Sequence, residues 1–259
     1  MSANSTTVLT VSYDGAAFHG FARQAGVPTV QGALEDALRT VLRREVVTVC
    51  AGRTDAGVHA LGEVVSFEAR EGDADARTLL RSVGALAAPE IVVTGVRSAS
   101  PGFSARYDAV AREYRYRLVP GPVAPLFLRD VAWWCKGTLD LAAMREGAAH
   151  LVGQHDFRSF CVTGSVEGKS TVREIELLEI EPACELGEHC IIVRIIGRSF
   201  LHSMVRIVVG SLVEVGKGRR GPAWMGEALA ACDRPAAGPT APPAGLALWH
   251  VTYPEDVWL

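Results

Sequence analysis

Apolar and polar positions alternate over residues 8–13 (VLTVSY), the period of a half-buried strand. The period then changes. Over residues 30–44, Leu34, Ala37, Leu38, Val41 and Leu42 fall on one helical stripe, with Glu35 and Asp36 early and Arg43 and Arg44 late, a charge order that suits the helix dipole. Alternation resumes at 45–50 and 62–69. Asp75 can cap a helix carrying Leu79, Leu80, Val83 and Leu86 that stops before Pro89, and residues 91–97 form a further strand. The order β-α-β-β-α-β is the split βαβ, or ferredoxin-like, arrangement.

The second half repeats that order with one added strand. Strands are expected at 112–119, 131–135, 172–181, 190–197 and 247–253. A helix is expected at 140–152, with Leu141, Met144, Ala148 and Leu151 on one face. A strongly apolar helix at 200–215 ends at Gly216, and Pro222 opens a short helix with Trp224 and Leu229. No sequence repeat accompanies the repeated order. The expected fold class is α+β: two ferredoxin-like lobes with mainly antiparallel sheets flanking a central cleft, divided as residues 1–104 and 105–259.

Composition narrows the class. Of the 259 residues 49% are hydrophobic and 21% charged, which excludes a disordered chain and a coiled coil. No apolar run is long enough to span a membrane, and residues 1–7 lack the basic start and apolar core of a signal peptide, so a cytoplasmic protein is expected. Six irregularly spaced cysteines read as free thiols. The net charge of −3 does not advertise nucleic-acid binding. The base is nearly all arginine, with Lys only at 136, 169 and 217, a bias that codon usage explains as well as phosphate binding does.

Three segments could carry chemistry. The first, Cys50-Ala-Gly-Arg-Thr-Asp-Ala-Gly-Val-His59, sets Arg53, Thr54, Asp55 and His59 among small residues in a loop between strands. By spacing alone Asp55 reads as a turn-former or helix cap, and His59 as a packed or hydrogen-bonding histidine. The second, residues 112–118, puts Tyr114, Tyr116 and Leu118 on one strand face and Arg115 and Arg117 on the other. It reads either as a surface for stacked bases and phosphates or as an amphipathic edge strand. The third, Phe200-Leu-His-Ser-Met-Val-Arg206, opens the apolar helix, and Arg206 there either meets a carboxylate or reaches solvent. Cys184, His189 and Cys190 match no standard zinc spacing.

Taken together, the chain resembles the tRNA pseudouridine synthase A family from Tyr13-Asp-Gly15 to Tyr253-Pro254. The most specific match is Gly52-Arg-Thr-Asp-Ala-Gly-Val-His59. Supporting matches are Val30-Gln31, Phe103-x-Ala-Arg106, Arg112-x-Tyr-Arg-Tyr116, Gly153-x-His-Asp-Phe157, Ser170-Thr-Val-Arg173, Phe200-x-His-x-Met-Val-Arg206 with Val209-Gly210, and Gly245-Leu246. The resemblance implies a homodimeric enzyme with a pseudouridine synthase fold. Its reaction would isomerise uridine to pseudouridine at positions 38, 39 and 40 of the tRNA anticodon stem-loop, with no metal or organic cofactor. Carried onto this chain, Asp55 is the catalytic aspartate and Tyr114 stacks on the target uracil. Arg53 displaces or holds the flipped nucleotide, Arg206 pairs with Asp55, and Leu246 lies near the base. Arg53, Arg106, Arg112 and the 217–220 cluster are the expected phosphate contacts.

Two departures stand out. Phe21-Ala22 replaces a common Trp-Gln and reads as peripheral, and Cys161 replaces a common Arg, removing one RNA contact. Two other classes compete: a non-catalytic RNA-binding module, which would carry an RNP1-type aromatic motif, and a hydrolase using Asp55 and His59, which would need a second carboxylate, a metal cluster or a triad. Neither feature is present in the sequence.

Overall fold

A computed structural model describes residues 5–165 and 168–259; the first four residues of the polar N-terminal stretch lie outside the described part. In chain order the elements are β1 (Thr6–Tyr13), α1 (Val30–Leu42), β2 (Val49–Cys50), β3 (His59–Glu68), α2 (Ala76–Ala87), β4 (Ile91–Ala99), β5 (Ala111–Gly121), β6 (Trp133–Lys136), α3 (Leu141–Ala149), β7 (Gly153–Asp156), β8 (Val172–Ile175), β9 (Leu177–Glu185), β10 (Glu188–Gly197), α4 (Met204–Gly216), α5 (Trp224–Ala231) and β11 (Leu246–Thr252). Among the described residues no helix is long and apolar enough to cross a membrane.

The chain divides into two compact units, Met1–Arg112 with Ala247–Leu259, and Glu113–Leu246. The expected division at 104/105 left the closing strand with the second lobe. In the structure β11 pairs in parallel with β3, Ala247 opposite His59 and Leu248 opposite Ala60.

The first unit is the expected β-α-β-β-α-β. Its strands run β4-β1-β3, with β2 on β3, and β1, β2 and β4 are all antiparallel to their neighbours. Both helices are capped at the N-terminus, the second as expected: the Thr29 hydroxyl accepts from Gly32 N, and the Asp75 carboxylate from Thr78 N. α1 buries Val30, Leu34, Ala37 and Leu38, and α2 buries Leu79, Val83 and Ala87. Leu80 and Leu86, expected inside, are exposed. The strand expected at 45–50 shrinks to two residues because α1 holds the preceding backbone. Glu35 Oε1 accepts from Thr48 N at 3.0 Å and Gln31 Nε2 donates to Thr48 O at 3.2 Å.

In the second unit the order is β5-β10-β9, with β6 parallel to β5, and α3 is capped by Asp140. The expected strand at 172–181 is two strands. β8 pairs with β7, and β9 forms an antiparallel hairpin with β10. Buried nearly all round, α4 supplies much of this unit's core. Gly216 is its last residue, and glycine suits the position by packing, since a methyl there would lie 2.6 Å from Met144 Sδ.

Candidate functional site

The loop between β2 and β3 is fastened on three sides within the first unit. At its root Glu63, fully buried on β3, accepts through Oε1 from Gly52 N and Val64 N, each at 3.1 Å. Ala51 N donates to Val64 O at 2.8 Å, while Arg112 Nε donates to Ala51 O at 3.0 Å. Burial pushes the Glu63 carboxyl up to about 8, against the opposing pull of backbone N–H groups and the Arg112 guanidinium. Glu63 Oε2 is buried with no hydrogen-bond partner, which suits a neutral carboxyl better than an ionised one. The motif by itself does not point to Glu63. The only signal is an acid at an inward position of β3, in line with Val65 and Phe67.

At the loop's centre Thr54 is buried. Its Oγ1 lies 2.7 Å from the Tyr13 hydroxyl, and its carbonyl accepts from Phe21 N at 3.1 Å. Phe21 is itself buried, with its ring 6.3 Å from that of Tyr13. Phe21 is therefore part of the seat of the loop, not a peripheral departure.

At the far end Val58 N donates to Asp55 O, closing a tight turn, and Gly57 N donates to Phe18 O. His59 Nδ1 accepts from Gly15 N at 3.2 Å and lies 3.1 Å from Asp14 Oδ1. His59 is thus a buried hydrogen-bonding anchor, in keeping with its spacing in the sequence. Gly15 is required here: a Cβ would stand 2.1 Å from Val58 O. Between these fastenings Arg53 is exposed and Asp55 half-buried. The result is a short, pinned segment that presents a carboxylate and a guanidinium on a fixed backbone.

The other expected residues lie in the second unit. Tyr114 is buried on β5, with Phe200 edge-on at 5.2 Å. Tyr116, two residues on and on the same face, donates its hydroxyl to Pro242 O at 2.8 Å. Arg206 on α4 donates from Nε to Ala241 O, and its own carbonyl accepts from Ala241 N. Gly245 meets the Tyr116 ring, 2.5 Å from where a Cβ would sit, and Leu246 follows it, buried at the start of β11. The 241–246 segment thereby joins Arg206 and the aromatic face of β5 within one unit.

Several expected phosphate contacts have other work. Arg112 is buried against Ala51 O and Arg106 O. On the outer face of β5, Arg115 pairs with Glu113, which also takes Arg194, and Arg117 pairs with Glu185. Arg219 pairs with Glu214, Arg220 lies over Trp224, and Lys217 lies over Trp133. Cys161 is buried and donates to Arg158 O, so its side chain points inward and its presence costs no exposed contact. Cys190 lies in the core with Val119 and Leu128, and among the described residues no group of three or more His, Cys, Asp or Glu could hold a metal ion.

The sequence model of the family described as tRNA pseudouridine synthase matches residues 9–108 and 148–254. The chain is 42% identical to the tRNA pseudouridine synthase A of Methylococcus capsulatus, over 97% of this chain and 90% of that one. It is 42% identical to the protein of that name from Brevibacillus brevis (94% and 97%) and 41% identical to that from Pseudothermotoga lettingae (94% and 97%). An α+β fold, a pinned Asp-bearing loop and matches of this extent coincide: the chain belongs to the tRNA pseudouridine synthase family. Members of that family are isomerases that convert uridine to pseudouridine.

Proposed function

We propose that this protein converts uridine to pseudouridine at positions 38, 39 and 40 of the tRNA anticodon stem-loop, with Asp55 as the catalytic carboxylate. The observation that carries the reading is the fastening of residues 51–59 at Gly52, Thr54 and His59, which leaves Asp55 on a backbone that cannot swing away. A lone turn-forming aspartate would need no such seat.

The reaction conserves atoms. The N1–C1′ bond of the uridine breaks, a C5–C1′ bond forms, the C5 hydrogen leaves as a proton and N1 takes one up. A target in a stem or loop must first leave the stack, at a cost of a few kcal/mol. In this reading Tyr114 offers the replacement stacking surface, and its ring is steadied edge-on by Phe200. Arg53 holds the flipped nucleotide, Leu246 lines the base, and Arg206 is the ionic partner assigned to Asp55 by the family resemblance. Asp55 then acts as the nucleophile or assists loss of the base before re-attachment through C5. The enzyme works as a homodimer in the cytoplasm, with tRNA as its partner and no cofactor.

Asp55→Asn keeps the size of the side chain and removes its charge. Pseudouridine mapped by position in treated tRNA should vanish for this variant, while tRNA binding and thermal stability stay near wild type. Appreciable turnover by the Asn variant would remove Asp55 from the chemistry. Wild-type product at other positions would correct the site range.

A further inference from the structure

Arg115, Arg117, Arg129, Arg145, Arg194 and Arg219 of the second unit pair with carboxylates, but among the described residues one group of cations does not. Arg158, Lys169 and Arg234 line a pocket of about 550 Å³ that also takes in Thr163, Cys232 and Asp233. Pockets of this size hold small molecules or single nucleotide groups. Among the described residues none of the three cations has a carboxylate partner, whereas Arg115, Arg117, Arg145, Arg194 and Arg219 all have one. Their other contacts are long. Lys169 Nζ is 3.5 Å from Ser165 O, and Arg234 reaches Ala237 O at 3.4 Å and Thr240 Oγ1 at 3.3 Å. Their donors are therefore largely unspent.

A further cation, Arg173, is half-buried two residues beyond the pocket-lining Thr171. Arg173 donates from Nη1 to Ser170 O and Val172 O, and its Nε is buried without a partner. The Cys161 thiol is pushed up by burial and by Asp156, while Arg158, Arg234 and Arg173 act on it in the opposite direction. Opposing them, Asp233 lines the pocket and Asp156 is close by, with the Asp156 carboxylate already accepting from Arg158 N. Among the described residues the cations here outnumber the acids. Planar guanidinium forks beside threonine hydroxyls form a donor set suited to tetrahedral oxyanions.

We propose that this pocket binds a backbone phosphate of the RNA substrate, an inference that rests on the tRNA-modifying reading above. Phosphate is the shared chemistry, and the source assigned is the polynucleotide rather than free phosphate. The site lies wholly in the second unit; its cations come from the 158–169 stretch and from Arg234, and Thr171 of the Ser170-Thr-Val-Arg173 match also lines it.

The test is the affinity for unmodified tRNA across a salt series. Arg158→Gln with Arg234→Gln should weaken binding by about an order of magnitude. It should also flatten the log–log salt slope by about 0.7–0.9 for each phosphate no longer neutralised. Arg158→Lys should keep the wild-type slope, a rescue that a merely structural arginine would not show. Lys169→Gln, an exposed position, carries the same test should the double variant fail to fold. Unchanged affinity and slope in a variant that melts normally would overturn the proposal. So would a pocket that takes inorganic phosphate in calorimetry while its variants bind tRNA like wild type. Wild-type pseudouridine formation, measured alongside, keeps failure of this site distinct from failure of the functional reading.

Discussion

Glu63 shows how a single residue can serve the loop without touching the chemistry. Its Oε1 takes two backbone N–H groups, while burial holds the carboxyl near 8. The folded state therefore binds a proton that the unfolded chain releases near the ordinary glutamate range. Stability falls as pH rises between those two values and levels off above the upper one. Glu63→Gln keeps an acceptor for Gly52 N and removes the ionisation. Denaturant unfolding should show the wild type losing up to about 4 kcal/mol relative to the Gln variant between about pH 5 and pH 8. Parallel stability profiles would mean that Glu63 is ionised throughout. The motif around Asp55 is legible because its eight residues stand in unbroken order. Glu63 is not, because its role depends on which strand face turns inward and on the N–H groups that meet it there.

At the scale of elements, the loop and the turn after β1 form one device. Gly15 lets the chain pass against Val58 O, and Phe18, Phe21 and Tyr13 then hold the loop through backbone and hydroxyl contacts. Gly15→Ala forces a methyl into a backbone carbonyl, and neither side can give without moving the loop. Overpacking of this kind costs about 1–3 kcal/mol. The variant should unfold at lower denaturant, and its pseudouridine-forming activity should fall by more than the loss of folded protein explains. Wild-type activity per folded molecule would show that the loop tolerates the shift. Alternation predicts β5 and its buried Tyr114–Tyr116–Leu118 face correctly, because period 2 specifies one face whatever the partners are. It fails at 172–181, where one apolar run serves two different neighbours and breaks at Glu176, whose N–H goes to Ile196 O. Composition cannot reveal such a change of partner.

At the scale of the whole molecule, the overall charge of −3 conceals how the charges are used. Glutamates at 113, 179, 181, 185 and 214 neutralise arginines of the second unit, leaving the 158–169–234 group as the concentrated remainder. The proposed reaction needs no electron acceptor, and Cys190 is part of the hydrophobic core. Activity should therefore persist in EDTA on a minimal anticodon stem-loop folded in monovalent salt. Loss restored only by zinc would return Cys184, His189 and Cys190 to consideration as ligands.

Periodicity, caps and punctuation are local, and they are enough to define the α+β class, the order of elements in the first unit and the helix cap at Asp75; the loop at 52–59 is legible only through its resemblance to a family signature. Everything decided by long-range contact needs the tertiary structure. β11 counts with the first unit although it closes the chain, because it pairs in parallel with β3, nearly 190 residues earlier, at Ala247–His59 and Leu248–Ala60. Arg112 has the sequence context of a phosphate ligand, yet its Nε is taken by the carbonyl of Ala51, 61 residues away. Arg234 joins Arg158 and Lys169 in one pocket only by folding, since it stands 65 residues beyond Lys169 in the chain. Burial and hydrogen-bond partners are properties of neighbours in space, and a linear pattern records neighbours in sequence.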